Sequence, residues 1–121
     1  MKVLVITDAQ LVAEALRMML LAERPDIEVV WKFSTPLGLA ECVNGGPLDL
    51  VIVDIDMMGA RRLQLAKKVL HLQRRAEVVT LTGRPTPDEE DDAEKLGVAA
   101  YLSKAMPNAD LLAALRAHIK P

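Results

Sequence analysis

Five short apolar runs punctuate the chain: VLVIT (residues 3–7), IEVVWKF (27–33), LVIVD (50–54), VVTLT (78–82) and VAAYLS (98–103). Each has the length and β-branched content of a strand. The third has no polar position before its last residue, the pattern of a strand covered on both faces. Between the runs, apolar residues recur at helical spacing. Leu11, Ala15, Met18, Met19 and Ala22 share one face, as do Leu63, Ala66 and Leu70, with Val69 further round. The polar punctuation agrees. Thr86 and Glu89 around Pro87 form a capping box with proline at the first helical position, and Ser34 or Thr35 before Pro36 marks another helix start. Gly45-Gly46-Pro47 and Gly97 close helices. Strand and helix alternating in this way predict an α/β fold, a parallel sheet with helices on both faces, because a crossover helix joins consecutive parallel strands.

Composition narrows the picture. At 121 residues the chain suits one domain, spanning 1–121. It is 51% hydrophobic but only 2% aromatic, so Leu, Val, Ile, Ala and Met must build the core, and Cys42 and the six methionines are expected there. A net charge of -2 with the signs interspersed offers no electrostatic footprint for direct nucleic-acid contact or an anionic membrane. Cys42, the single cysteine, has no internal disulfide partner. Asp8, Glu14 and Arg17 break the N-terminal apolar stretch, which disfavours a secretory or membrane-spanning segment. A cytoplasmic protein is expected. His71 and His118 stand isolated and are expected to be exposed, and the DEEDD run (88–92) reads as a solvated helix start whose acids suit the positive end of the dipole.

In an open parallel α/β sheet, ligands bind beyond the carboxyl ends of the strands, where the strand order reverses. Those ends carry Thr7 and Asp8, Asp54 followed by Asp56, Thr82 and Gly83, and Ser103 and Lys104. Clustered carboxylates repel one another, and a hard cation with oxygen ligands, Mg²⁺ above all, is the usual remedy. A lysine and a threonine hydroxyl can serve phosphate oxygens, while Gly83 leaves room for the group to approach. A carboxylate at the centre of such a cluster can act as nucleophile and form an acyl phosphate, and Asp54 is the best placed. Thr80 competes with Thr82 for the site, but the end position favours Thr82. Asp56, two residues beyond Asp54 in an extended segment, points the same way and can return a third carboxylate to the pocket.

The segments VLVITDAQLVAEALRMML, LDLVIVDIDMMG, VVTLTG and GVAAYLSKAMPNADLLAALRAHI, in this order and spacing, resemble the receiver domain of two-component response regulators. The likeness is closest to the subgroup whose receivers usually precede a helix-turn-helix output domain. It implies a (βα)5 flavodoxin-like three-layer sandwich with strand order 2-1-3-4-5. It implies that Asp54 accepts a phosphoryl group from a phosphohistidine on a sensor histidine kinase. Asp8 and Asp54, with the backbone carbonyl of Asp56, would hold Mg²⁺. Lys104 would pair with one phosphoryl oxygen, Thr82 would move to bond another, and Tyr101 would stand at an aromatic switch position. Such a domain is no enzyme beyond self-phosphorylation and self-dephosphorylation. It acts through an output domain or a homodimer partner, here through the face of the last two crossovers, where Ala113, Ala114 and Ala117 suit either contact or core.

The chain departs from the family pattern at four places. Thr7 replaces one acid of the usual pair, Met58 a proline, Arg62 a glycine, and Ala105 a proline or aspartate. The second and third of these predict a looser loop after the acceptor. Thr7 and Arg62 support an alternative, a pseudo-receiver that serves as an interaction module without phosphorylation. VDIDMMG also contains the D-x-D of haloacid dehalogenase-type phosphatases, but those enzymes carry it on the first strand of a longer chain.

Overall fold

Strict alternation along the apolar runs sends Leu4, Ile6, Val51, Val53 and Val78 to one side of a sheet and Val3, Val5, Leu50, Ile52 and Val79 to the other. The computed structural model describes residues 1–32 and 46–119. The strands are β1 (Lys2–Ile6), β2 (Glu28–Lys32), β3 (Leu50–Asp54), β4 (Glu77–Thr82) and β5 (Ala100–Ser103). They pair in parallel in the flavodoxin-like order β2-β1-β3-β4-β5. β3 is buried along its whole length, as its unbroken apolar run requires.

The described helices are α1 (Gln10–Glu23), α2 (Gln64–Leu72), α3 (Pro87–Leu96) and α4 (Asn108–Arg116), with a short 3₁₀ turn at Ile55–Met58. Leu16 and Leu20 of α1 and Leu111 and Leu115 of α4 pack on one face of the sheet. Leu65, Ala66 and Val69 of α2 and Ala93 of α3 pack on the other. A three-layer sandwich results. The helix start expected at Ser34–Pro36 and the core place expected for Cys42 lie outside the described residues.

Three expectations need correction. The stripe of α1 read as its buried face is largely outside: Leu11 is 81% exposed and Met18 73%, and the core takes Ala13, Leu16 and Leu20 instead. QLVAEALRMMLLAE is apolar on more than one side, so spacing alone fits two stripes, and the Leu16/Leu20 pair fills the inter-layer space better than alanines do. Met18 is thus no core residue, whereas Met1, Met19, Met57, Met58 and Met106 pack partly buried against the core. His118 is not isolated: its Nδ1 lies 3.0 Å from Glu77 Oε2, joining the end of α4 to the start of β4. Of the alanines left open between contact and core, Ala113 and Ala117 are exposed and Ala114 is half-buried, while Leu111 and Leu115 supply the core of α4.

The ends of α3 follow their sequence signals. Thr86 Oγ1 accepts the Glu89 N–H at 3.2 Å, with Pro87 in the first turn. Gly97, at φ 101°, closes the helix; its N–H meets the Glu94 carbonyl at 3.0 Å and that of Val98 the Ala93 carbonyl at 3.2 Å, the two bonds of a Schellman motif. The capping box is only half made, however. The Glu89 carboxylate is turned away, and the Thr86 N–H donates to the Tyr101 hydroxyl at 3.1 Å.

The α1 assignment is testable. Leu16→Ala removes a fully buried side chain and is expected to lower stability by about 2–5 kcal/mol, while Leu11→Ala stays within about 0.5 kcal/mol. Urea unfolding of both variants measures this, and a reversed order would return the buried face to the Leu11 stripe.

Candidate functional site

In a parallel sheet with in-step register, neighbouring strands end together. Ile6 pairs with Val53, Asp54 with Leu81 and Thr82 with Ser103, so the residues just past β1, β3, β4 and β5 meet at one edge. The edge spans the point where the strand order reverses, between β1 and β3.

Asp54 stands at its centre and is 1% exposed. A buried carboxylate must be hydrogen-bonded to remain charged. Its Oδ2 accepts the Thr7 hydroxyl at 2.7 Å. Its Oδ1 accepts Lys104 Nζ at 2.7 Å and the Asp56 N–H at 3.1 Å. Thr7, which looks like the loss of an acid in the sequence, is thus a direct partner of Asp54. It also accepts the Ala9 N–H at 3.1 Å, steadying the turn from β1 into α1.

Asp56 comes back to the same pocket over the 3₁₀ turn. Its Oδ1 accepts the Thr82 hydroxyl at 2.7 Å and Arg62 Nη1 at 3.2 Å. Its Oδ2 accepts the Gly83 N–H at 2.7 Å and Lys104 Nζ at 3.0 Å. Burial works against its charged form, but the bonds from Thr82, Gly83 and Lys104 outweigh this and hold its carboxyl well below the usual carboxylate range. Lys104 is raised: burial opposes its charge, and Asp54 and Asp56 more than compensate.

Arg62 does not loosen the loop after the acceptor; it ties it down. Nε and Nη2 grip Glu89 at 2.6 and 2.9 Å, a bidentate pair, and Nη2 also donates to Thr82 Oγ1 at 2.7 Å. Glu89 of the DEEDD run is therefore a half-buried member of the site rather than a solvated acid. The Tyr101 hydroxyl donates to Glu89 Oε1 at 2.7 Å. Burial, then the Glu89 carboxylate, pushes this phenol up.

The structure thus gathers Asp54, Asp56, Thr82 and Lys104 and attaches Tyr101 through Glu89. Thr80 turns to the Ala100 carbonyl, at 3.3 Å, leaving the site to Thr82. Asp8, just past β1, is exposed. Among the described residues no three His, Cys, Asp or Glu side chains form a ready metal cage. The donor set still suits Mg²⁺, which needs only one or two carboxylates and otherwise keeps water and phosphate oxygens; Asp8, Asp54 and the Asp56 backbone carbonyl are hard oxygen donors of that kind. Thr7, Arg62 and Glu89 are what sequence reasoning missed. No local spacing connects residue 62 to residue 89, and the strong cap signal at Thr86 had accounted for Glu89.

The response regulator receiver domain matches residues 3–116. The chain belongs to that family. The regulatory protein VanR of Enterococcus faecium is 24% identical over 119 residues, which cover 98% of this chain and 50% of VanR. The transcriptional regulatory protein CutR of Streptomyces coelicolor is 27% identical over 117 residues, 97% of this receiver and 52% of CutR. The receiver spans about half the length of these curated relatives. Among solved structures, a response regulator from Thermotoga maritima superposes with TM-score 0.83 at 21% identity, covering 98% of this chain and 96% of that one. One from Burkholderia pseudomallei, with a phosphorylated aspartic acid, calcium ion and citrate, superposes with TM-score 0.78 at 27% identity, over 94% of this chain and 65% of that one. No helix among the described residues is long and apolar enough to cross a membrane.

The Glu89 pairing carries a pH signature. Hydrogen bonds from Arg62 lower its carboxyl against the opposing effect of burial, and the Tyr101 hydroxyl adds to the lowering. A folded value below the unfolded one, about 4.3, means that the stabilisation is present at neutral pH and lost as pH falls through the acid range. Glu89→Gln is therefore expected to be less stable than the parent at neutral pH, with the two converging in acid. Urea unfolding across that range tests this, and a constant separation would exclude it.

Proposed function

We propose that residues 1–121 form a phospho-accepting receiver that takes a phosphoryl group on Asp54 from a phosphohistidine of a sensor histidine kinase, with Mg²⁺, in the cytoplasm. The observation that carries the proposal is the buried Asp54 carboxylate with Lys104 Nζ at 2.7 Å, at the carboxyl edge where the strand order reverses. The Asp54 carboxylate attacks phosphorus, the P–N bond breaks, and the electron pair returns to the imidazole nitrogen, leaving an acyl phosphate. Lys104 is placed to stay with the acceptor oxygen and offset the charge gathering on the transferred group. Asp8, Asp54 and the Asp56 carbonyl are the residues to hold Mg²⁺, which when bound neutralises phosphoryl oxygens. Thr82 then exchanges its bond to Asp56 for one to a phosphoryl oxygen. Tyr101 responds through Glu89, which it shares with Arg62. The Burkholderia relative, with its phosphorylated aspartic acid and calcium ion, supports the same chemistry. The message passes to an output domain or a second copy of the chain. This domain touches no nucleic acid itself, and its only catalysis is gain and loss of its own phosphoryl group.

A second reading, a pseudo-receiver that works as a constitutive interaction module, draws support from Arg62, whose guanidinium already ties Thr82 and Asp56 without any phosphoryl group.

Acetyl phosphate with Mg²⁺, followed by intact mass, separates the two. The expected result is a gain of one phosphoryl group that Asp54→Ala abolishes and that Lys104→Ala slows by about a hundredfold or more. An unlabelled parent would favour the module.

A further inference from the structure

An ionised carboxylate has about four lone-pair sites. At Asp56 each is filled from a different residue: the Thr82 hydroxyl and Arg62 Nη1 on Oδ1, the Gly83 N–H and Lys104 Nζ on Oδ2. A surface aspartate does not collect such a set by chance. Two cations, a hydroxyl and a backbone N–H converging on one point make a receptor for a multiply charged oxyanion. Gly83 lets the carboxylate sit close to the backbone, since a β-carbon there would stand 3.3 Å from Asp56 Oδ2 and push it back by a few tenths of an ångström. The space expected to receive an incoming group is filled by the chain's own side chain.

We infer that the Asp56 carboxylate is a tethered stand-in for the phosphoryl group: it occupies the oxyanion pocket of Thr82, Gly83, Lys104 and Arg62, and must swing out before a tetrahedral oxyanion can enter. Charge explains the competition. Asp54, Asp56 and Glu89 face Lys104 and Arg62, three carboxylates against two cations. A further anion beside this set meets net repulsion; with Asp56 withdrawn the count balances, and the pocket accepts one. Arg62 is the donor that the family's usual glycine could not supply, and it makes the pocket cationic enough to hold its own acid. The consequence for phosphorylation rests on the Asp54 reading above, whereas the occupancy itself does not.

The test titrates inorganic phosphate into the metal-free full chain and follows the Gly83 amide and Arg62 Nε–H signals by NMR. Asp56→Ala is expected to bind phosphate at least about tenfold more tightly than the parent, through relief of like-charge repulsion. Asp56→Asn, which keeps the shape but not the charge, is expected to fall between them and carries the test if the alanine variant does not fold. Adding Arg62→Ala to Asp56→Ala is expected to remove most of the gain. Equal affinity in the parent and the Asp56 variants, or a gain that ignores Arg62, would overturn the inference. Labelling by acetyl phosphate keeps the two readings apart. Tight phosphate binding by Asp56→Ala with no labelling of any variant sinks the Asp54 acceptor and leaves the stand-in; a labelled parent with unchanged phosphate affinity in the variants does the reverse.

Discussion

One ammonium group holds the site together. Lys104 Nζ lies 2.7 Å from Asp54 and 3.0 Å from Asp56, the positive charge that offsets two carboxylates brought side by side at the edge of a buried sheet. Removing one partner from a fully buried pair typically costs about 3–5 kcal/mol, because the other charge is left without compensation; here Lys104 is a quarter exposed, and water takes up part of that cost. The surrounding polar groups follow from the same demand. Thr7 takes the free oxygen of Asp54, Thr82 and Gly83 take those of Asp56, and Arg62 brings the second positive charge. The side-chain nitrogen and oxygen atoms buried in the described residues all have partners, so the cluster is satisfied rather than strained.

The fold exists, from this standpoint, to hold those groups in step. Parallel pairing brings strand ends to one edge, and the two apolar layers, Leu16, Leu20, Leu111 and Leu115 on one face and Leu65, Ala66, Val69 and Ala93 on the other, keep the sheet from slipping. A one-residue slip of β3 would turn Asp54 toward the opposite layer. Because both faces of β3 are buried, that slip would also force its apolar side chains to repack in the opposite layers and would leave the Asp54 carboxylate among apolar groups without its partners.

Much of this was legible in the residues. Period-2 alternation, the cap at Thr86 and the glycine stop at Gly97 are local signals, and the strands fell within a few residues of the apolar runs because the physics behind them is local too. Asp54, Thr82 and Lys104 could be read as neighbours because strand ends of a parallel sheet must meet. Two kinds of feature were not legible. The buried face of α1 turned on whether Leu16 and Leu20 or Leu11 and Met18 better fill an inter-layer gap, which is a question of three-dimensional volume. The Arg62–Glu89 pair joins positions on separate crossovers, and a long side chain that crosses a pocket leaves no trace in spacing. Thr7 was legible as a substitution but not as a bond, because a hydroxyl looks like a deficit until its acceptor is located.

The Glu89 carboxylate receives both the Arg62 guanidinium and the Tyr101 hydroxyl, and that hydroxyl in turn accepts the first N–H of the α3 turn at Thr86. An unbroken line of hydrogen bonds therefore joins the chemistry at the sheet edge to the outer surface at the start of α3, and on the phospho-acceptor reading proposed above the two would report one equilibrium. Thermodynamic reciprocity would then run both ways: a macromolecule gripping the outside of that helix would alter how readily the interior reacts, by the same factor with which the interior reaction would alter its grip.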